Sequence, residues 1–350
     1  MKTAASIFIL LVPMLGFADT ITLVAGSGTK GDGAKATEAK LHQPFGCDFS
    51  ADGSMVFVEF TGSERLRIVK PDGTIQTLAG TGQKGFSGNG EAGGQATFNA
   101  LHAVLVAPDG MLYLADTFNH SVRTYDPKSN LVNLYAGTGT KGFSGDGGPA
   151  LKSTIDEAYC IAADGAFETL YLIDLKNRRL RAIDMKTNII RTVAGNGQKG
   201  VPKDGELAVH QPLVDPRAVA VDPKSGIVYL LERGGHALRV IDKAGRIKTV
   251  AGTGKAGAGE TMLNGPKFAT VDRDGSVLIA DTENHRIVRY ASGSAKLVTV
   301  AGTGKAGVAG LGGDPKLCEL NKPHGVTVHP KTGEIYVCDS SNHRILKIMK

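Results

Sequence analysis

The sequence predicts an all-β chain, a six-bladed β-propeller with four antiparallel strands per blade. Three observations carry that expectation. The string [VLY]-A-G-x-G occurs six times, starting at Val24, Leu78, Tyr135, Val193, Val250 and Val300, in steps of 54, 57, 58, 57 and 50 residues. A period of this size belongs to a solenoid or propeller. Every interval repeats one order of short strands and tight turns. Finally, 47 of 350 residues are glycine and 14 are proline, yet 41% are hydrophobic and 21% charged. With no glycine-every-third period, that composition excludes collagen and leaves enough apolar material for a core.

Each repeat opens on a glycine-rich loop, such as the one over residues 80–94 or 137–150. A first strand follows, as at 218–222 or 325–329, then a turn such as 108–110, 222–226, 272–275 or 329–333. The second strand lies at 111–116, 276–281 and 334–339. A polar hairpin (117–120, 282–285, 340–343) leads to two further strands, for example 285–290 and 296–302. Four short strands joined by tight turns make an antiparallel sheet, and six sheets around an axis make a propeller. The last repeat ends after its third strand, while residues 21–25 form a spare strand of the fourth type. The N-terminal strand is therefore expected to complete the last blade, closing the ring without open edges.

The first 18 residues read as a signal peptide. Lys2 gives a positive start, residues 4–15 are apolar, and Gly16-Phe17-Ala18 is a small-x-small cleavage site before Asp19. Residues 19–350 are then one propeller, exported to the periplasm or secreted. The apolar run is too short to span a membrane and no second one follows. The formal net charge of +6 is spread along the chain and favours anionic ligands weakly; nucleic acid is not an expected partner. Cys47, Cys160, Cys318 and Cys338 form no C-x-x-C pair, so a structural zinc site of that type is unsupported. Disulfides and buried free thiols both stay open. A monomer is expected, because a closed ring hides its edges.

The hairpins Asn119-His120, Asn284-His285 and Asn342-His343, together with the loop GFSGDGGPA at 142–150, resemble NHL repeats, and the resemblance covers residues 20–350. It implies the propeller fold. It does not select a function, because NHL propellers include RNA-binding and protein-binding modules and one enzyme group, the peptidyl-hydroxyglycine amidating lyases.

Several positions repeat. An acid ends the second strand at Asp116, Asp174, Glu232, Asp281 and Asp339, whereas the first repeat has Phe60 at that place with Glu59 beside it. Such a carboxylate ring suggests calcium, but one acid per blade reads better as an acceptor of backbone N–H groups or a partner of the next strand's arginines. The hairpin histidines read as turn residues. The loop carboxylates Asp32, Asp146 and Asp204 lack the spaced ligands of a calcium loop and read as inter-blade connections.

One position does not repeat. Aligned at the first strand, the blades carry Phe45, His102, Tyr159, Arg217, Lys267 and His324. The first strand lines the axis, so these six side chains are expected to converge at one mouth of the channel, with Glu157, Asp215, His42 and Gln43 nearby. Converging polar groups in a concave site are the signature of ligand binding. Arg217 holds a carboxylate or phosphate through two N–H groups and Lys267 adds a charge. The two histidines and Tyr159 supply donors, acid–base groups or metal ligands. The lyase resemblance implies zinc on His102 and His324 with Tyr159 beside it; Arg217 stands where that family has its third histidine, which leaves His42 or a carboxylate as the third ligand. Sugar-lactonase propellers hold calcium with a Glu, Asn and Asp cluster that this ring lacks.

Two functions follow. The first is an exported propeller that binds an anionic small molecule, peptide or glycan at the mouth, which accounts for the basic ring. The second is a zinc-dependent lyase or hydrolase using His102, His324 and Tyr159, which accounts for two histidines arriving from separate blades. A protein-interaction scaffold is the third class.

Overall fold

The computed structural model describes residues 19–349, so the signal-peptide reading of residues 1–18 lies outside the described residues. Six sheets form a ring, and among the described residues the only helical elements are single 3-10 turns. Blade 1 comprises Pro44–Phe49, Met55–Glu59, Leu66–Val69 and Ile75–Ala79. Blades 2 to 6 begin at Leu101, Ala158, Pro216, Phe268 and Gly325. Glu91–Ala92 adds a short fifth strand to the outer edge of blade 2.

The closure is as expected. Thr20–Gly26 pairs antiparallel with Arg344–Met349, in a register running from Thr20 opposite Met349 to Gly26 opposite Arg344. The sixth sheet is thus built from both chain ends. Ile21 and Ile348 are buried together in its core. The second strands of blades 1, 4, 5 and 6 are near-continuous apolar runs buried on both faces, and clusters of apolar side chains fill the space between neighbouring blades.

The glycine that follows alanine in each A-G-x-G string has one cause in all six repeats. Gly26, Gly80, Gly137, Gly195, Gly252 and Gly302 have φ between +83° and +103°. A Cβ on any of them would stand 2.1 to 2.4 Å from the carbonyl oxygen of a hairpin residue of the same blade: His343, Glu64, His120, Arg178, His236 or His285. Only glycine permits both the left-handed backbone and that approach.

The acids at the ends of the second strands form a girdle. Asp116, Asp174, Asp281 and Asp339 are wholly buried and accept the N–H groups of Asn99, Asp156, Asn264 and Asn321 at 2.7 to 2.8 Å. Each carboxylate also meets an arginine of the third strand, at 2.5 to 3.6 Å around the ring. Blades 1 to 4 use Arg67, Arg123, Arg181 and Arg239, while blades 5 and 6 use Arg286 and Arg344, two places earlier in the strand. The first repeat does not depart from this pattern. Glu59 pairs with Pro44 as Glu232 pairs with Pro216, and it accepts the His42 N–H and the Arg67 guanidinium. Glu59 is the acid of blade 1, and Phe60 belongs one step further on.

The loop carboxylates Asp32 and Asp146 bind Arg67 and Arg181 at 2.8 Å, and Asp204 accepts from Thr249. These bonds pin the loops to the blades.

Candidate functional site

The hairpin apices position the site. Glu64, His120, Arg178, His236, His285 and His343 each sit in the left-handed region, with φ between 44° and 54°. The Nδ1 atoms of His120, His236, His285 and His343 accept the N–H groups of Glu157, Gly265, Lys322 and Gln43 on the following blade, at 3.1 to 3.2 Å. Glu64 does the same for Ala100 through its carboxylate, at 2.7 Å. The histidines are therefore turn residues that also bolt one blade to the next. Each acceptor holds the residue two places before the ring position, so it sets where the ring side chain points.

Five of the six ring residues, Phe45, His102, Tyr159, Arg217 and Lys267, line one cavity of about 300 Å³ together with Phe60, Phe118, Glu157, Lys176 and Arg233. His324 stands behind them. Its ring stacks on Phe45 at 3.9 Å between centroids, and its Nε2 shares a 2.9 Å hydrogen bond with the Tyr159 hydroxyl. Its Nδ1 is buried without a partner. His102 packs on Tyr159 at 4.1 Å between ring centres, and its Nδ1 bonds to the Ala100 carbonyl and the Thr117 hydroxyl. His42, a candidate third metal ligand, is not in this lining.

The cavity has two unlike halves. On blades 1 and 2, Phe45 stacks on Phe60 at 4.3 Å, Phe60 meets His102 edge-on at 4.5 Å, and Phe118 is 41% exposed at the rim. On blades 3 to 5, the Arg217 guanidinium lies over the Tyr159 ring, 4.7 Å from its centre, and bonds Asp215 at 3.2 Å. Lys267 and Arg233 approach Glu283 at 3.9 and 3.8 Å, Lys322 does so at 3.2 Å, and Lys176 faces Glu157 at 3.5 Å. Five cations thus share three carboxylates, and the crescent is net positive.

Burial decides the protonation of the core groups. It pushes His102 down to about 3, helped by the charges of Arg217 and Lys267. It holds His324 well below its ordinary value, with His102 and Lys267 adding to the effect, and raises Tyr159 to about 12. Both imidazoles and the phenol are therefore neutral at physiological pH. They offer hydrogen bonds and flat surface, and the positive charge comes from Arg217, Lys267 and the hairpin cations.

Among the described residues, no group of three or more His, Cys, Asp or Glu side chains surrounds a point where a metal ion fits. A catalytic zinc normally has three protein ligands, so His102 and His324 with Arg217 in the third place do not make that site.

The channel itself is filled. One residue below the ring the inner strands carry Gly46, Ala103, Cys160, Ala218, Phe268 and Gly325. Phe268 packs against core clusters from three sides, 6.3 Å from His324 between ring centres. A separate cavity of about 330 Å³ lies beyond it, lined by Phe268, Asp48, Ile161 and Val219 among others, and shares no lining residue with the first. The mouth is thus a blind cup.

Sequence reasoning found the ring and missed the hairpin residues that complete it: Phe60, Phe118, Lys176, Arg233 and Glu283. For Phe118, Lys176 and Glu283 the signal was present. Two places after the girdle acid the blades carry Thr61, Phe118, Lys176, Gly234, Glu283 and Ser341, as varied a set as the ring itself.

The NHL repeat family matches residues 263–290 and 320–348. The chain is 26% identical over 292 residues to SUPPRESSOR OF QUENCHING 1 of Arabidopsis thaliana, covering 77% of this chain and 27% of that protein. It is 27% identical over 230 residues to human NHL repeat-containing protein 2, covering 61% of this chain and 31% of that protein. It therefore spans less than a third of the length of these relatives. Among solved structures, an auxiliary nutrient binding protein from Bacteroides ovatus superposes with a TM-score of 0.69 at 14% identity, covering 95% of this chain and 77% of that one. Streptogramin B lyase superposes with a TM-score of 0.55 at 12% identity, covering 95% and 98%. No helix among the described residues is long and apolar enough to cross a membrane. The matched repeats fall on blades 5 and 6 of the closed ring, so the chain is a six-bladed β-propeller that carries NHL repeats.

Proposed function

We propose that the protein is an exported binding propeller that holds a small anionic ligand, or the anionic end of a peptide or glycan, in the cup at the ring. The observation that carries this reading is the opposition of Phe45, Phe60 and Phe118 to Arg217, Arg233 and Lys267 across one cavity of about 300 Å³. A flat apolar portion stacks on the aromatic half, while a carboxylate or phosphate meets Arg217 on the other. The volume suits a small molecule or a chain end. The carboxylates of Glu157, Asp215 and Glu283 give an amino group somewhere to go, so a zwitterion fits as well as a simple anion. The Bacteroides nutrient binding proteins share the architecture, and the leading 18 residues have the layout of an export signal.

Calorimetric titration with aryl carboxylates, amino acids and short peptides tests the reading. Arg217→Ala is expected to weaken a binder tenfold or more, the size of one lost charge-assisted pair, and Phe118→Ala several-fold. A binder unaffected by both changes would overturn it.

A second reading, a lyase or hydrolase, rests on the Tyr159–His324 bond, which sets a phenol against an imidazole from blade 3 to blade 6. It requires a metal-binding stoichiometry that disappears in the His102→Ala, His324→Ala double variant. Metal analysis of chelator-washed protein decides the matter.

A further inference from the structure

The seam between blades 3 and 4 breaks the repeat in three ways at once. Its hairpin apex is Arg178, where four seams have a histidine and one has Glu64, so no acceptor is offered to the next blade. The residue that would receive it, Asp215, is absent from the left-handed set that holds Gln43, Ala100, Glu157, Gly265 and Lys322. Its N–H turns to Glu232 instead, at 3.3 Å. On the far side, Gly234 stands where other blades carry a side chain, and a Cβ there would come within 3.2 Å of Asp215. The seam is left open as a cavity of about 290 Å³.

What surrounds that opening is cationic. Its lining includes Lys176, Arg178, Lys199 and Arg217, with Asp215 as the single carboxylate, and Asp215 is already held by Arg217. Neither Arg178 nor Lys199 has an ion pair among the described residues. Lys176 and Arg217 also line the cup, so the two cavities meet at these two side chains. Structural pairing accounts for the girdle arginines and partly for Lys176 and Arg217, which face Glu157 and Asp215, but not for Arg178 and Lys199. Uncompensated like charges around a concavity cost free energy that an anion recovers.

We infer that the seam between blades 3 and 4 is a second anion subsite, continuous with the cup, which takes a phosphoryl or sulfuryl group. The guanidinium of Arg178 offers the forked donors such a group accepts. Lys199 and Lys176 add point charges, and Arg217 is shared with the cup. The inference deepens the binding reading above, because the ligand is then elongated, with one end in the cup and a multiply charged group over the seam. It also stands apart from that reading, since the seam binds a free oxyanion whether or not the cup is filled.

The test uses inorganic pyrophosphate and sulfate as probes, titrated by calorimetry at low ionic strength against the full chain and its variants. Saturable binding is expected, weakened about tenfold by Arg178→Ala and again by Lys199→Ala, and unchanged by Phe118→Ala, which touches the cup alone. Arg178→His restores the apex residue of four other seams. It is expected to weaken oxyanion binding as much as Arg178→Ala does, with an unchanged or raised Tm, which separates loss of the subsite from loss of the fold. Binding of equal strength in wild type, Arg178→Ala and Arg178→His, or no saturable binding at all, overturns the subsite. If aryl carboxylates, amino acids and peptides are unaffected by Phe118→Ala and Arg217→Ala while pyrophosphate binding still depends on Arg178, the cup reading has failed and this one has not.

Discussion

Two layers of side chains lie one step apart at the same end of the propeller and obey opposite rules. The girdle repeats. Every blade has a buried acid, an arginine that meets it and an N–H from the segment entering the first strand. The ring and the hairpins around the cup do not repeat. The difference teaches where the shape is set and where chemistry is free to vary, since a position fixed by the fold six times over has no latitude left for a ligand.

Breaking the girdle should have the largest effect. Asp281 accepts from the Asn264 N–H, the Asn284 amide and the Arg286 guanidinium. Asp281→Ala strands the Asn264 N–H and takes the carboxylate partner from Asn284 and from the part-buried Arg286, which costs about 3–4 kcal/mol in all. Chemical denaturation should show that loss, and a change under 1 kcal/mol would mean the girdle is not what holds the blades. Gly137→Ala comes next, because φ is +83° and the new methyl would press on the His120 carbonyl oxygen. A loss of about 2–3 kcal/mol is expected, read from the same denaturation midpoint. His285→Ala removes one inter-blade bond to Lys322 and should cost about 1 kcal/mol.

The ring should answer to pH instead. His102 titrates near 3 in the folded chain and near 6.5 when unfolded. The unfolded chain therefore binds the extra proton between those values, and stability falls as pH drops from 6.5 toward 3. The slope is about 1.4 kcal/mol per pH unit for one such group. His102→Gln should flatten the acid limb by that amount relative to wild type. Asp116, which burial raises to about 7, pulls the other way, so the comparison of variant with wild type carries the result. Equal slopes would mean His102 is open to solvent.

The fold was legible because glycine spacing and turn chemistry recur six times, and the ring was legible because it alone seemed not to recur. Two features were hidden for physical reasons. Phe268 reads as one more strand residue, and only the neighbouring glycines and alanines of its layer reveal that it fills the axis. Glu59 and Phe60 looked interchangeable because a shift of one residue along a strand leaves the local sequence plausible while exchanging the two faces of the sheet.

The seam that joins the chain ends has a consequence in time. Residues 20–26 are made before the strands of every other blade, yet their partner strand, Arg344–Met349, is made after all of them. The blade-6 sheet cannot be completed until residues 344–349 are made, and a pairing between strands so distant in sequence is slow to find. The nascent chain therefore stays an open row of blades with one orphan strand at its head.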